Sequence, residues 1–156
     1  MKRIYYVIGR IIEKTQLLEK LIGEVVYYSE AVNEADRNKG SFSEKDKKLA
    51  VESAEYLKNK METMTLGQVV GVVYSTRVFL KSEVDELKFV LERRNYFVHE
   101  YFKYTPFDEL QKSEKDMEEE YGALKEYYAK IDTIYKKADI YCLSYKSRFE
   151  KIFGMR

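Results

Sequence analysis

The sequence predicts an all-α fold, an up-and-down bundle of four to five helices, on three observations. Apolar residues recur at spacings of three and four along most of the chain, the period that gathers them on one face of a helix. Only one proline and seven glycines interrupt 156 residues, which leaves room for long uninterrupted helices. No stretch alternates apolar and polar residues as a half-buried strand does. At this length a single domain over residues 1–156 can bury a sizeable core.

Taken in order, Ile4, Val7, Ile8, Ile11 and Ile12, then Leu18, Leu21, Ile22, Val25 and Val26, predict a long first helix reaching about Asn33. Arg37 to Ser43 reads as a loop. Ser43 with Asp46 offers a capping start to a second helix running to about Met61, with Leu49, Ala50, Ala54 and Leu57 as its narrow apolar stripe. Thr65 followed by Gln68 is a second capping pair, opening a short helix through Val69, Val70, Val72 and Val73, in which Gly67 and Gly71 suit close packing and weaken the helix. Ser82 with Asp85 predicts the start of a fourth helix, from Glu83 to about Tyr104. Thr105-Pro106 ends it and begins the next, with Pro106 at the first helical position. From Phe107 the pattern is helical to near Phe153, with a break or bend expected around Gly122 or Lys136 to Asp139.

Composition narrows the function classes. Lys and Arg number 28 against 27 Asp and Glu, so any nucleic acid is held by a local patch and not by bulk charge. The single cysteine, Cys142, excludes an intrachain disulfide and a cysteine zinc site, and reads as a small buried hydrophobe in a reducing compartment. The basic-then-apolar start MKRIYYVIGRIIEKTQ is interrupted by Gly9-Arg10 and Glu13, with no small-residue cleavage site after it, unlike a signal peptide. No run approaches the ~20 apolar residues needed to cross a bilayer, and a cytoplasmic protein is expected.

Chemistry converges on Glu92 to Tyr104, which holds the only histidine, His99. No other side chain type here titrates near neutral pH unperturbed. Wound at about 100° per residue, Leu87, Val90, Leu91 and Val98 form one apolar arc, and Arg94 falls inside it. A guanidinium there calls for a partner, either an anion or an acid such as Glu52 or Glu86. Asn95 and His99, spaced i and i+4, share the flank, so His99 stands about 140° around the axis from Arg94. The two can meet over one ligand only in a groove formed with another helix or another subunit.

Arg94-Asn95-Tyr96-Phe97-Val98-His99-Glu100-Tyr101 fits R-N-x-x-x-H-x-Y, which resembles the signature of the HEPN superfamily of small helical proteins. The upstream MTLGQVV, Met64 to Val70, is similar to a connecting segment of such domains. The resemblance implies a HEPN-like bundle over most of the chain and a metal-independent ribonuclease that works as a homodimer without a cofactor. Arg94 and His99 are then the catalytic pair: His99 as general acid-base for attack of a ribose 2′-hydroxyl on the adjacent phosphorus, Arg94 on the phosphate, and Asn95 orienting. The product would be a 2′,3′-cyclic phosphate. Arg93, Lys88 and Lys103 are the expected further RNA contacts. The longer form of the motif is similar to toxins silenced by a minimal nucleotidyltransferase antitoxin that adds AMP to the tyrosine, here Tyr101. Tyr101 stands seven residues after Arg94, two turns along the same helix face, and two roles stay open for it, this modification and a place in the core.

Other chemistries are weaker. The Glu-x-x-His pairing of di-iron bundles is missing, since Tyr96 stands three before His99, and no metal site is expected. No phosphate-cradling Gly-x-x-x-x-Gly-Lys loop or Gly-x-Ser-x-Gly elbow is present. The acidic run Glu114 to Glu120 reads as a solvated helix face. Tyr121, Tyr127, Tyr128, Tyr135, Tyr141 and Tyr145 suit either base stacking or packing, with packing the commoner use. The competing function is a noncatalytic HEPN adaptor or nucleotide-binding subunit of a nucleotidyltransferase complex.

Overall fold

A computed structural model of the chain describes residues 1–154. The fold is all-α: α1 (Lys2–Arg37), α2 (Glu44–Met61), α3 (Leu66–Ser75), α4 (Lys81–His99), two single turns α5 (Tyr101–Tyr104) and α6 (Phe107–Leu110), and α7 (Glu114–Phe153). Helices α1 and α7, of 36 and 40 residues, form the spine. They run parallel, because Lys14–Asp132 at 3.4 Å and Asp36–Arg148 at 2.8 Å fall in the same order along both. Between them Ile11, Leu18 and Ile22 of α1 join Ile131, Ile134 and Ala138 of α7 in the core.

The other helices alternate in direction. Gly23 of α1 lies beside the Lys58 stem, while Ala31 and Val32 pack with Ala54, so α2 runs antiparallel to α1. Asn33 donates to the Thr76 carbonyl at 3.3 Å, which ties the end of α3 to the far part of α1. Tyr141 reaches Glu83 and Tyr101 reaches Glu120, so α4 is antiparallel to α7. The order is up-down-up-down-up, and the first and last helices of such a bundle of five are necessarily parallel.

Local chemistry sets several of the starts. Ser43 Oγ accepts from the Asp46 N–H at 3.2 Å and the Asp46 carboxylate accepts from the Ser43 N–H at 3.0 Å. Thr65 and Gln68 repeat this reciprocal arrangement at 3.3 and 2.9 Å. These pairs satisfy donors that a helix N-terminus leaves free.

Four expectations are corrected. The fourth helix starts at Lys81, with Glu83 and not Asp85 accepting from the Leu80 N–H, at 2.8 Å. Glu83 is drawn inward because the Tyr141 hydroxyl also donates to it, at 2.9 Å, which satisfies a carboxylate buried among apolar neighbours. That helix ends at His99 and not near Tyr104: Glu100 leaves helical geometry, and Tyr101 turns its ring into the core against Phe97 and Phe107. Pro106 precedes α6 at φ −79° and ψ 75°, in a γ-turn closed by the Phe107 N–H donating to the Thr105 carbonyl at 2.9 Å, and does not open it as the first helical residue. Finally, α7 passes unbroken through Gly122 and Lys136 to Asp139, and the interruption falls earlier, at residues 111–113. One glycine costs a helix only about 1 kcal/mol, less than the packing of Leu124 and Tyr127 beside it supplies. Ser113 caps α7 by accepting from the Asp116 N–H at 3.2 Å.

Candidate functional site

Helix α4 carries the expected residues, and its burial pattern places them. Leu87, Val90 and Leu91 are buried as expected, but Val98 is exposed and Phe97 takes its place inside. The last turn of α4 packs on α7, where Phe97 stacks on Tyr127 at 5.1 Å, and this rotates the buried arc away from Val98. The Tyr127 hydroxyl donates to the Val90 carbonyl at 2.6 Å, which anchors the turn just before Arg94. Burial pushes that phenol above its ordinary pKa, so it remains a donor.

Arg94 keeps about a quarter of its side chain exposed and lies 3.3 Å, Nη1 to Oε1, from Glu19 of α1. The acid that meets it is therefore Glu19, and neither Glu52 nor Glu86. Its Nε is buried with no hydrogen-bond partner. Burial raises the Glu19 carboxyl above its ordinary value even though the Arg94 charge pulls it down. The ion pair thus leaves one guanidinium donor unused.

Arg94 and Asn95 line a groove of about 480 Å³ between α1, α2, α3 and α4. Lys20 and Lys58 bring further positive charge to it, against Glu19 and Glu62. Its floor is apolar, from Ile22, Met61, Met64, Leu66, Val69 and Leu91. Apart from Arg94 and Asn95, none of these residues is part of the motif. Met64, Leu66 and Val69 fall within the MTLGQVV segment quoted above, whereas nothing in the sequence pointed to Lys20, Lys58 or Met61.

His99 is exposed and does not line this groove. With Asn95, Lys88 and Glu92 it forms a solvent-facing stripe about 100° to 160° around the axis from Arg94. Lys88 is 4.0 Å from Glu92 within that stripe. Arg93 faces α7, over the rings of Phe89 and Tyr127 at 5.8 and 5.7 Å, on the side of the helix away from His99. Lys103 is exposed on α5. The fold therefore brings Arg94 and Asn95 together on the groove, Asn95, His99 and Lys88 together on the stripe, and sets Arg93 apart.

Tyr101 is buried at the end of α4 and does not line the Arg94 groove. Its hydroxyl donates to Glu120 at 2.6 Å, and burial together with that carboxylate holds the phenol far above its ordinary pKa. The tyrosines of the last helix are engaged by the chain itself. Arg3 lies over Tyr121 at 4.6 Å, Arg10 over Tyr128 at 5.2 Å and Lys14 over Tyr135 at 3.9 Å. Tyr141 is committed to Glu83, and Arg148 lies over Tyr145 at 5.1 Å. Most of this aromatic surface is packing between α1, α4 and α7.

Cys142 is buried, and its thiol is pushed up to about 11, chiefly by burial. Among the described residues no three His, Cys, Asp or Glu side chains are grouped to hold a metal ion, and no helix is long and apolar enough to cross a membrane. Comparison with protein-family models, curated proteins and solved structures finds no match for this chain.

Proposed function

We propose that this protein is a metal-independent endoribonuclease of HEPN type, the toxin of a module whose antitoxin is a minimal nucleotidyltransferase. The observation that carries the reading is Arg94: a guanidinium in the apolar face of its helix, on a groove, with one buried donor unused. A phosphate oxygen would meet the exposed part of the guanidinium and compete with Glu19 for its charge. His99 is exposed and free to meet a ribose hydroxyl, as a general acid-base must.

The chemistry is transesterification. The 2′-oxygen attacks the adjacent phosphorus as its proton passes to one imidazole, a second imidazole protonates the departing 5′-oxygen, and a 2′,3′-cyclic phosphate remains. Arg94 offsets the charge that develops on the phosphoryl oxygens. Because Arg94 and His99 diverge around α4, the reading requires a two-fold homodimer that sets two motif helices side by side and brings both copies of Arg94 and His99 to one groove. Control by AMP follows the same reading. The Tyr101 oxygen attacks the α-phosphorus of ATP, pyrophosphate leaves, and the phenolic proton is lost. For this α5 has to open, since Glu120 holds the hydroxyl.

The test is RNA incubated in EDTA with wild type, Arg94→Ala and His99→Ala. Cleavage confined to wild type, with cyclic-phosphate ends, is expected. Cleavage by all three, or by none, sinks the enzyme reading. The second reading, a noncatalytic adaptor of a nucleotidyltransferase complex, is favoured by one observation: within one chain Arg94 and His99 share no groove. It predicts a stable complex with the nucleotidyltransferase and no cleavage in any variant.

A further inference from the structure

The groove beside Arg94 is larger than a phosphate needs and its chemistry is mixed. A bare anion site would be small and polar, whereas here most of the floor is aliphatic and thioether. Met64, Leu66 and Val69 are half-buried, so the floor is partly wet while empty, which favours covering it with an apolar surface. The volume of about 480 Å³ lies within the range of small-molecule sites, about 300–1,000 Å³.

The rim is of another kind. Gln16 and Asn95 each carry an amide with donors and an acceptor, and Lys20, Lys58 and Arg94 outnumber Glu19 and Glu62 in charge. A ligand that fits both parts has a flat apolar body, a polar edge and a negative group next to it. A nucleobase joined to its phosphate has this form, and thioethers such as those of Met61 and Met64 pack well on aromatic rings. The partly exposed guanidinium of Arg94, beside Glu19, marks the end where the phosphate would sit.

We infer that this groove is a base-recognition subsite, which takes the nucleobase attached to the phosphate held by Arg94 and so sets the sequence preference of cleavage. The assignment rests on the ribonuclease reading for the role of that phosphate. It adds a specificity surface built from α1, α2 and α3, outside the Arg-His motif. A free nucleotide and a nucleotide within a strand present the same chemistry to it.

The test has a binding arm and a cleavage arm. In the first, methyl resonances of Met61, Met64, Val69 and Leu91 are followed while AMP, GMP, CMP, UMP, ribose 5-phosphate or inorganic phosphate is added. Shifts with at least one nucleotide that clearly exceed those with ribose 5-phosphate or phosphate are expected. Val69→Trp, which fills the groove, and Val69→Glu, which opposes the phosphate, should each weaken the nucleotide at least about tenfold with circular dichroism unchanged. Methyl groups unmoved by every nucleotide, or moved equally by phosphate alone, overturn the inference.

In the second arm, wild type acts on oligoribonucleotides that differ in one base beside the cleaved bond. A preference of at least about tenfold that collapses in either Val69 variant is expected, and a preference that both variants retain overturns the inference. A short oligoribonucleotide added to the methyl experiment tells strand from free nucleotide: tighter binding than the best mononucleotide assigns the groove to RNA, and weaker binding overturns its role in cleavage. The two readings fail separately. Nucleotide binding in the groove with cleavage unaffected by His99→Ala removes the ribonuclease reading alone, whereas His99-dependent cleavage with no methyl shifts removes the groove assignment alone.

Discussion

Glu19 is where two opposing effects meet. Burial favours its neutral form, the Arg94 charge favours its ionised form, and burial wins, so its carboxyl titrates above the ordinary range. An acid whose folded pKa is raised contributes stability that is fully present below its unfolded value and lost as pH rises through the folded value. Glu19→Gln should therefore flatten the pH dependence of the urea midpoint just above the ordinary carboxylate range, with stability at neutral pH at or above that of wild type. The same variant frees Arg94. Its affinity for phosphate, measured by titration at neutral pH, should rise several-fold, and acidification should no longer strengthen it; an unchanged affinity would show that Glu19 does not compete. At Tyr101 the expected loss is different. Tyr101→Phe removes a hydrogen bond to a carboxylate, worth about 1.5 kcal/mol, and should lower Tm without altering helix content. It also removes the oxygen that AMP would take, so AMP-sized mass increments on co-expression with the nucleotidyltransferase should disappear.

Element boundaries show how far local signals reach. Ser43–Asp46 and Thr65–Gln68 were legible because each cap is closed within four residues. The start of α4 was not, because Glu83 outcompetes Asp85 only through Tyr141, 58 residues away. Ser113–Asp116 carries the same kind of local signal, yet the acidic run behind it reads equally well as the middle of one long helix. Ser113→Ala should cost about 1 kcal/mol, seen as a lower Tm. In the turn from α3 to α4, Arg77 sits at φ 58°, a left-handed conformation that a side chain resists. Arg77→Gly should relieve about 1 kcal/mol and raise Tm by about 2–4 °C; a fall would mean that the Arg77 side chain contributes more than its backbone costs.

For the whole molecule, stability concentrates where α1, α4 and α7 meet. Ile131 is fully buried there, and Ile131→Ala should cost about 2–5 kcal/mol, read from denaturant unfolding. Assembly belongs to this scale too: light scattering at micromolar concentration should find a dimer, and a strict monomer would remove the composite active site. The all-α class, the principal helices and the two local caps were legible in the chain read alone, because periodicity and i,i+3 chemistry are written within a few residues. That reading also singled out Arg94 as a cation on an apolar face, since that follows from spacing alone. What meets that cation depends on helix packing. Glu19, Lys58, Met61 and Val69 lie on three other helices, and their approach depends on how those helices pack and turn. The fate of Tyr101 was decided there as well. Counting residues along one helix set it on the Arg94 face, whereas the break at Glu100 and the pull of Phe97, Phe107 and Glu120 turned it into the core.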